Sequence, residues 1–418
     1  MADTQQGEAQ ASLIQESLTP ESLIPLGQWQ APAATVQRTL REALSALFGY
    51  VREAFRGSTS TFEVEPDIES LSPYQLRRFA PEPDRQWRAE RLGASLDQHW
   101  EQNGGGAPGS VTCLVSPPHS GIAQSLAIIA EARQWRVIQP PEDLLLTIPE
   151  AEAWWDEQAL EEGPWVIPEL ARFWLRHRSG LALLTVLFGR LSVTPRNPGL
   201  IGCSSWCWNF WVRYLPGLSL VPQTLPAMTS DKLDVWLAAL PGNRPTSALR
   251  VRKTNNGHWV MTGGADINGG KRSDLLKDLS AMARGNPGVA LAIWRKSLRA
   301  KPDESLPEDK EDEASASQPG DRQCWVFPLE QLTLPLVPSG ATRDTTGVLH
   351  ALLLHEGLDE TALALVLPAT QVGLRVVLQG LERSELIQRQ DDRWQVSPLA
   401  YPSVRRTLLG SGYPVDGF

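Results

Sequence analysis

Apolar residues recur at helical spacing over 34–55, where Val36, Leu40, Leu44, Leu47, Phe48, Val51 and Phe55 are separated by polar positions. That spacing predicts an amphipathic helix. A second helical pattern runs over 84–102 through Trp87, Leu92, Leu96 and Trp100, and Gly104, Gly105, Gly106 and Gly109 end it as a hinge. After the hinge the period changes. A short apolar run over 111–115 suits a buried strand and is followed by a Pro/Ser/Gly loop and an apolar helical stretch over 123–135. Further short runs at 135–138, 164–167 and 199–202 alternate with helical patterns at 169–191 and 205–214. Strand, loop and helix in repeated alternation predict an α/β core with a parallel sheet covered on both faces.

The rest of the chain divides by the same criteria. Residues 1–32 are rich in Gln, Ser, Glu and Pro without periodicity, and read as a flexible arm leading into an N-terminal helical region at 33–103. The α/β core spans 104–270, and the helical stretch at 271–300 follows as a lid. Residues 301–322 are acidic, contain Ser and Pro and lack large apolar side chains, the composition of a disordered linker. From 323 to 418 three helical patterns, at 346–353, 361–367 and 371–386, precede an alternating segment around Asp391 and Asp392 and a tail helix at 401–409. Three helices and a two-stranded wing describe a winged-helix domain.

Composition changes this picture little. At 418 residues the chain is long enough for two or three modules, and 42% hydrophobic with 21% charged residues is a globular balance. The net charge of -9 excludes a protein that coats nucleic acid through phosphate contacts. Four scattered cysteines make no disulfide framework and no secretory signal opens the sequence, so a cytoplasmic location is expected. The apolar run at 181–188 is bounded by Arg178 and Arg190, too short for a bilayer, so no direct membrane insertion is expected. Of the 16 tryptophans, Trp154, Trp155, Trp165, Trp174, Trp206, Trp208 and Trp211 concentrate in the core region, where packing is the expected use and interface anchoring the second.

The order of these parts, together with the segments 284–290, 294–298, 349–357 and 398–406, resembles bacterial predicted ATPases of the AAA+/STAND group that end in a winged helix. The resemblance covers about 85–418. It implies a P-loop NTPase-like parallel sheet with a helical lid and a C-terminal winged-helix domain. In a working P-loop, G-x-x-x-x-G-K-[ST], backbone amides cradle phosphate, the Lys neutralises it and the hydroxyl holds Mg²⁺. The matching positions here are Ser116, Pro117, Pro118, His119, Ser120, Gly121, Ile122 and Ala123. Only the second glycine survives. The metal-associated acid is replaced by Pro168, leaving Glu169 either to activate a water or to sit at a helix N-terminus. Ser204 matches a position that senses the outer phosphate, and Arg284 one from which a lid arginine reaches nucleotide. The resemblance therefore implies a vestigial nucleotide site, with no cofactor expected, and ATP with Mg²⁺ only if binding persists.

Cys203 and Cys207 lack the further ligands of a zinc site, and no metal is expected. The six histidines form no nucleophile triad. The third helix of the last domain offers Gln371, Arg375, Gln379 and Arg383 to DNA, but also Glu382 and Glu385. The expectation is a non-hydrolysing regulatory or scaffolding protein whose partner is an active ATPase relative or a membrane protein, with residual ATPase activity and DNA binding as alternatives.

Overall fold

The computed structural model describes residues 21–35, 68–103, 111–192, 197–218, 220–240, 249–261, 271–301, 323–368 and 370–418. The amphipathic helix expected within 34–55, the glycine hinge and the acidic linker fall almost wholly outside them. The described residues form two compact units, one of those within 21–30, 84–226 and 334–418, the other of those within 31–35, 68–83 and 227–333.

The first unit is built on a six-stranded sheet. In chain order its elements are β1 (Ile24–Pro25), α1 (Arg85–Gln102), β2 (Val111–Ser116), α2 (Ile122–Ala132), β3 (Arg136–Val137), α3 (Ile148–Glu157), β4 (Trp165–Ile167), α4 (Ala182–Leu191), β5 (Gly199–Ser204), α5 (Ser205–Tyr214) and β6 (Gln223–Thr224). The strand order is β1-β6-β2-β5-β4-β3, parallel except for β1, which pairs antiparallel with β6 at the edge. The mixed α/β class with a mostly parallel sheet is as expected. Alternation along the strands sorts the faces: Leu114, Val166 and Leu200 pack with Leu92 and Leu96 of α1 and Leu126 and Ile129 of α2. Cys113, Val115, Trp165, Ile167, Ile201 and Cys203 face α3, α4 and α5. Because α2 leaves β2 over one face and α5 leaves β5 over the other, the chain reverses between these two strands. In open α/β sheets the crevice at such a reversal, beyond the strands' C-terminal ends, is where ligands bind.

Two glycines allow the strands their close neighbours. A Cβ on Gly199 would stand 2.3 Å from the Trp165 ring, and one on Gly202 would stand 2.1 Å from the Pro168 carbonyl. Tryptophans fill the second face: Trp155, Trp165, Trp174, Trp206 and Trp211 are almost wholly buried, as the packing expectation has it. The helix expected over 169–191 is shorter. Residues Leu170–Phe173 form a 3-10 turn capped by Glu169, the chain then extends through Trp174, and α4 begins only at Ala182. Tertiary burial of Phe173, Trp174 and Leu175 overrides their helical spacing.

The same unit contains the C-terminal elements α6 (Arg343–Leu354), α7 (Glu360–Val366), α8 (Gln371–Arg383), β7 (Ile387–Gln390), β8 (Arg393–Val396) and α9 (Tyr401–Gly410). Strands β7 and β8 form an antiparallel hairpin turned by Asp391 and Asp392, both at positive φ. This is the helix, helix, helix, hairpin order read from the sequence. Thr342, Asp359 and Thr370 cap the three helices through their side chains.

The second unit departs from the expected boundaries. The parallel sheet ends before Pro226, and strand Arg250–Lys253 joins a separate four-stranded sheet with Glu69–Ser70, Leu298–Ala300 and Gln323–Val326. The helical stretch expected as a lid is two helices, Leu275–Met282 and Pro287–Ser297. Between them Gly285 turns at φ +71°, and Asn286 caps the second helix through the amides of Gly288 and Val289.

Candidate functional site

The loop between β2 and α2 lies at the reversal crevice. Gly121 caps α2 at φ +77°, and a Cβ there would meet the Arg88 guanidinium at 2.4 Å. The left-handed conformation favours glycine here, while the Arg88 side chain is flexible enough to move from a Cβ. Ser120 Oγ donates to Ser116 Oγ at 3.1 Å and accepts the Ile122 amide at 3.4 Å, so the loop's own hydroxyl satisfies the first amide of α2. Ile122, where a phosphate-binding lysine would stand, is 7% exposed and packs in the apolar cluster with Leu92 and Leu126. Ala123 supplies no hydroxyl, and Pro117 and Pro118 supply no amide.

Across the crevice Glu169 is 7% exposed. Its Oε1 accepts the amides of Ala171 and Ser204, both at 2.9 Å, tying the end of β4 to the end of β5. Burial, then the charge of Glu356, push its pKa up to about 8, against the two amides and Arg172. A carboxylate held this way organises the backbone; of the two roles open from sequence, its geometry is that of the helix-terminal acid. Ser204 gives its amide to Glu169, while its Oγ is buried without a hydrogen-bond partner among the described residues. Arg172 Nε and His119 Nε2 are buried in the same condition.

The turn after α6 reaches into this crevice. Glu356 is enclosed beside His119 of this loop, close enough to Glu169, Arg172 and Arg393 for their charges to act on one another. Both residues hold positive φ, +64° at His119 and +49° at Glu356, a conformation costing a non-glycine residue about 1 kcal/mol or more. Burial raises the Glu356 pKa to about 7, opposed by Arg172, Arg393 and the His119 amide. Next to it His355 is fully buried, its Nε2 accepting the Arg176 amide at 3.2 Å and its ring 4.5 Å from that of Trp174. Burial lowers its pKa to about 3, so it is neutral. Glu356, His355, Arg172, Arg88 and Arg393 were not singled out by sequence. The first two lie in the 349–357 segment that carries the family resemblance, but nothing in their spacing announces contact with a loop more than 230 positions earlier.

Two enclosed carboxylates with raised pKa values make stability depend on pH. A carboxylate that binds its proton more tightly when folded contributes stability below its unfolded value, and that contribution is lost as pH rises through 7 to 8. The neutral histidines act oppositely, but only below about pH 6.5. Between about pH 6.5 and pH 9 the parent should therefore lose stability, and Glu356→Gln should lose on the order of 1 kcal/mol less. Urea unfolding at both pH values measures this, and identical slopes would contradict it.

The remaining predicted residues sit elsewhere. Arg284 is in the second unit, at φ +52° in the turn between the two helices. Gln371 opens α8; Arg375 on that helix pairs with Glu360 at 3.2 Å; Gln379 and Arg383 are exposed. Val372 and Val376 share this outer surface, 75% and 65% exposed. Cys113, Cys203 and Cys207 are buried, burial pushes the first two thiols up, and Trp174 Nε1 donates to Cys207 Sγ at 3.2 Å. Among the described residues no three His, Cys, Asp or Glu side chains gather as a metal site, and no helix is long and apolar enough to cross a membrane.

No family model matches the sequence, and no curated protein does. Among solved structures the chain is similar to the Thermotoga maritima RuvB Holliday junction branch migration motor, at 14% identity over 78% of this chain and 95% of that one, with a TM-score of 0.27. It is also similar to Drosophila ORC bound to DNA, at 11% identity, 87% and 99% coverage and a TM-score of 0.34. A third is Cdc6p from Pyrobaculum aerophilum, at 14% identity, 83% and 99% coverage and a TM-score of 0.28. TM-scores this low carry no weight for function, which rests on the crevice and its side chains.

Proposed function

We propose that this chain is a degenerate AAA+/STAND-like ATPase that does not hydrolyse nucleotide and acts as a regulatory or scaffolding protein by binding a protein partner in the cytoplasm. The observation that carries this reading is the condition of the loop at 116–123: its own Ser120 hydroxyl takes the first amide of α2, and Ile122 is buried where a cation would stand. A magnesium triphosphate needs a lysine, a metal-binding hydroxyl and a metal-associated acid. Ile122, Ala123 and Pro168 supply none of them, and Glu169 is engaged by two amides. The residues present do not fit that cofactor. A partner, an active relative or a membrane protein approached from the cytoplasm, then supplies the differential binding that nucleotide supplies in the parent design.

The purified protein should contain no nucleotide. With ATP and Mg²⁺ its phosphate release should equal that of Glu169→Gln and of buffer. Magnesium-dependent turnover that the substitution abolishes would establish the residual-ATPase alternative instead. DNA binding is disfavoured by Val372 and Val376, since an exposed apolar pair suits a protein surface better than phosphates. Mobility shifts should show no retention of duplex DNA at about 0.15 M salt. Retention lost on changing Arg375 and Arg383 to Ala would favour the DNA reading. A native-host pull-down should recover a protein partner that Val372→Asp with Val376→Asp loses.

A further inference from the structure

A cavity of about 580 Å³, within the range of small-molecule sites, opens among the C-terminal elements of the first unit, with Arg176 contributed by the segment after β4. None of its lining residues belongs to the loop at 116–123 or is Glu169 or Ser204, so it is separate from the reversal crevice. One wall is apolar, formed by Val348 of α6, Leu367 beyond α7, and Leu374 and Val377 of α8. The lining also includes two guanidinium groups, Arg176 and Arg343, and a single carboxylate, Asp344.

Arg176 is the distinctive member. Its backbone is held by His355, but its side chain makes no ion pair with a carboxylate among the described residues. It is partly buried, and burial lowers its pKa, with only the Tyr413 hydroxyl acting in the other direction. A partly desolvated guanidinium that lines a cavity and pairs with no carboxylate among the described residues is an anion-binding group, and a carboxylate matches its fork geometry. Tyr413 also lines the cavity, its hydroxyl 3.4 Å from Thr346 Oγ1. With Thr346 donating to the carbonyls of Thr342 at 3.3 Å or Arg343 at 3.2 Å, the tyrosine hydroxyl is the donor in this long contact, and a carboxylate is the stronger acceptor to which it would turn.

We propose that this cavity is a binding site for a small organic carboxylate with an apolar body, its carboxylate on Arg176 and Tyr413 and its body against Val348, Leu374 and Val377. Such a ligand touches both the Arg176 segment, which follows β4, and the C-terminal elements, and it stabilises their association by mass action. The proposal does not depend on the reading of the nucleotide-type crevice.

The experiment compares 4-phenylbutyrate, 4-phenylbutanol and 4-phenylbutylamine on the full chain by calorimetric titration and thermal shift. These probes share one apolar body and differ in the head group. The acid should bind saturably and raise the melting temperature. The alcohol should bind at least about tenfold more weakly, and the amine not at all. Arg176→Gln should bring the acid to the alcohol's affinity while leaving alcohol binding in place, a change that a merely structural role for Arg176 would not produce. Gly347 lines the cavity, and a Cβ there meets only Leu367 at 3.4 Å and Tyr413 at 4.0 Å. Gly347→Met should therefore fill the space and abolish binding of acid and alcohol alike while the protein still folds. Equal binding of all three probes, acid binding unchanged in Arg176→Gln or Gly347→Met, or no saturable binding of the acid up to about 10 mM would each overturn the proposal.

Discussion

Trp174→Ala should destabilise the first unit by about 3–5 kcal/mol, the range for removing a buried aromatic side chain without collapse of the space it leaves. Trp174 is fully buried. Its ring lies 4.5 Å from Phe210, 5.2 Å from Trp211 and 4.5 Å from His355, so it joins α5 to the turn that carries Glu356. Its loss opens a cavity lined by other rings and leaves the Cys207 thiol without its indole donor. Denaturant unfolding followed by tryptophan fluorescence and near-ultraviolet circular dichroism measures the effect. Because the chain has two compact units, the transition of the tryptophan-rich unit has to be resolved from the other. A loss under about 1 kcal/mol would mean that the site relaxes around the missing ring.

Asp416→Ala should cost a comparable amount, about 3–5 kcal/mol, because it leaves a buried cation unpaired. Asp416 is 4% exposed and accepts from the Ser205 hydroxyl, from Tyr401 at 3.4 Å and from Arg405 Nε at 3.2 Å. The Arg405 side chain is only 12% exposed. Nearby, Trp206 Nε1 donates to the same tyrosine at 3.1 Å, and Asn209 donates to the Val415 carbonyl at 3.1 Å. One carboxylate thus fastens the C-terminal segment to α5. The double substitution Arg405→Met with Asp416→Leu should recover much of the loss, since replacing both partners of a buried pair removes the uncompensated charge. A double variant no more stable than Asp416→Ala would point instead to the lost hydroxyl partners.

The elements of the C-terminal region were the most legible part of the chain. Leu349, Leu352, Leu353, Leu374, Leu378 and Leu381 repeat at helical spacing and all are buried, α8 along one apolar stripe and α6 on every side over 346–354. The strands of the sheet were legible for a related reason. Buried on both faces, they read as short apolar runs between turn residues. What failed was the extent of the helix at 169–191, where Phe173 and Trp174 follow a helical period yet leave the helix to fill space beneath α5. The boundary at 270 also failed, since strand Arg250–Lys253 pairs with Gln323–Val326, and no local signal reports pairing across seventy residues.

At the crevice the sequence was informative about what is missing and silent about what replaces it. That Ile122 and Ala123 cannot neutralise or coordinate is a property of their side chains, independent of any neighbour. That Glu356 is enclosed near Glu169, that Glu169 bridges β4 and β5, and that Arg176 lines a cavity without pairing to a carboxylate among the described residues are properties of distance between segments far apart in the chain. Side-chain chemistry and local period, being local quantities, were determined by the sequence alone. Which charges are enclosed together, and so which pKa values move and which cations lack partners, was decided only by tertiary packing, because desolvation and Coulomb interaction depend on separations in space.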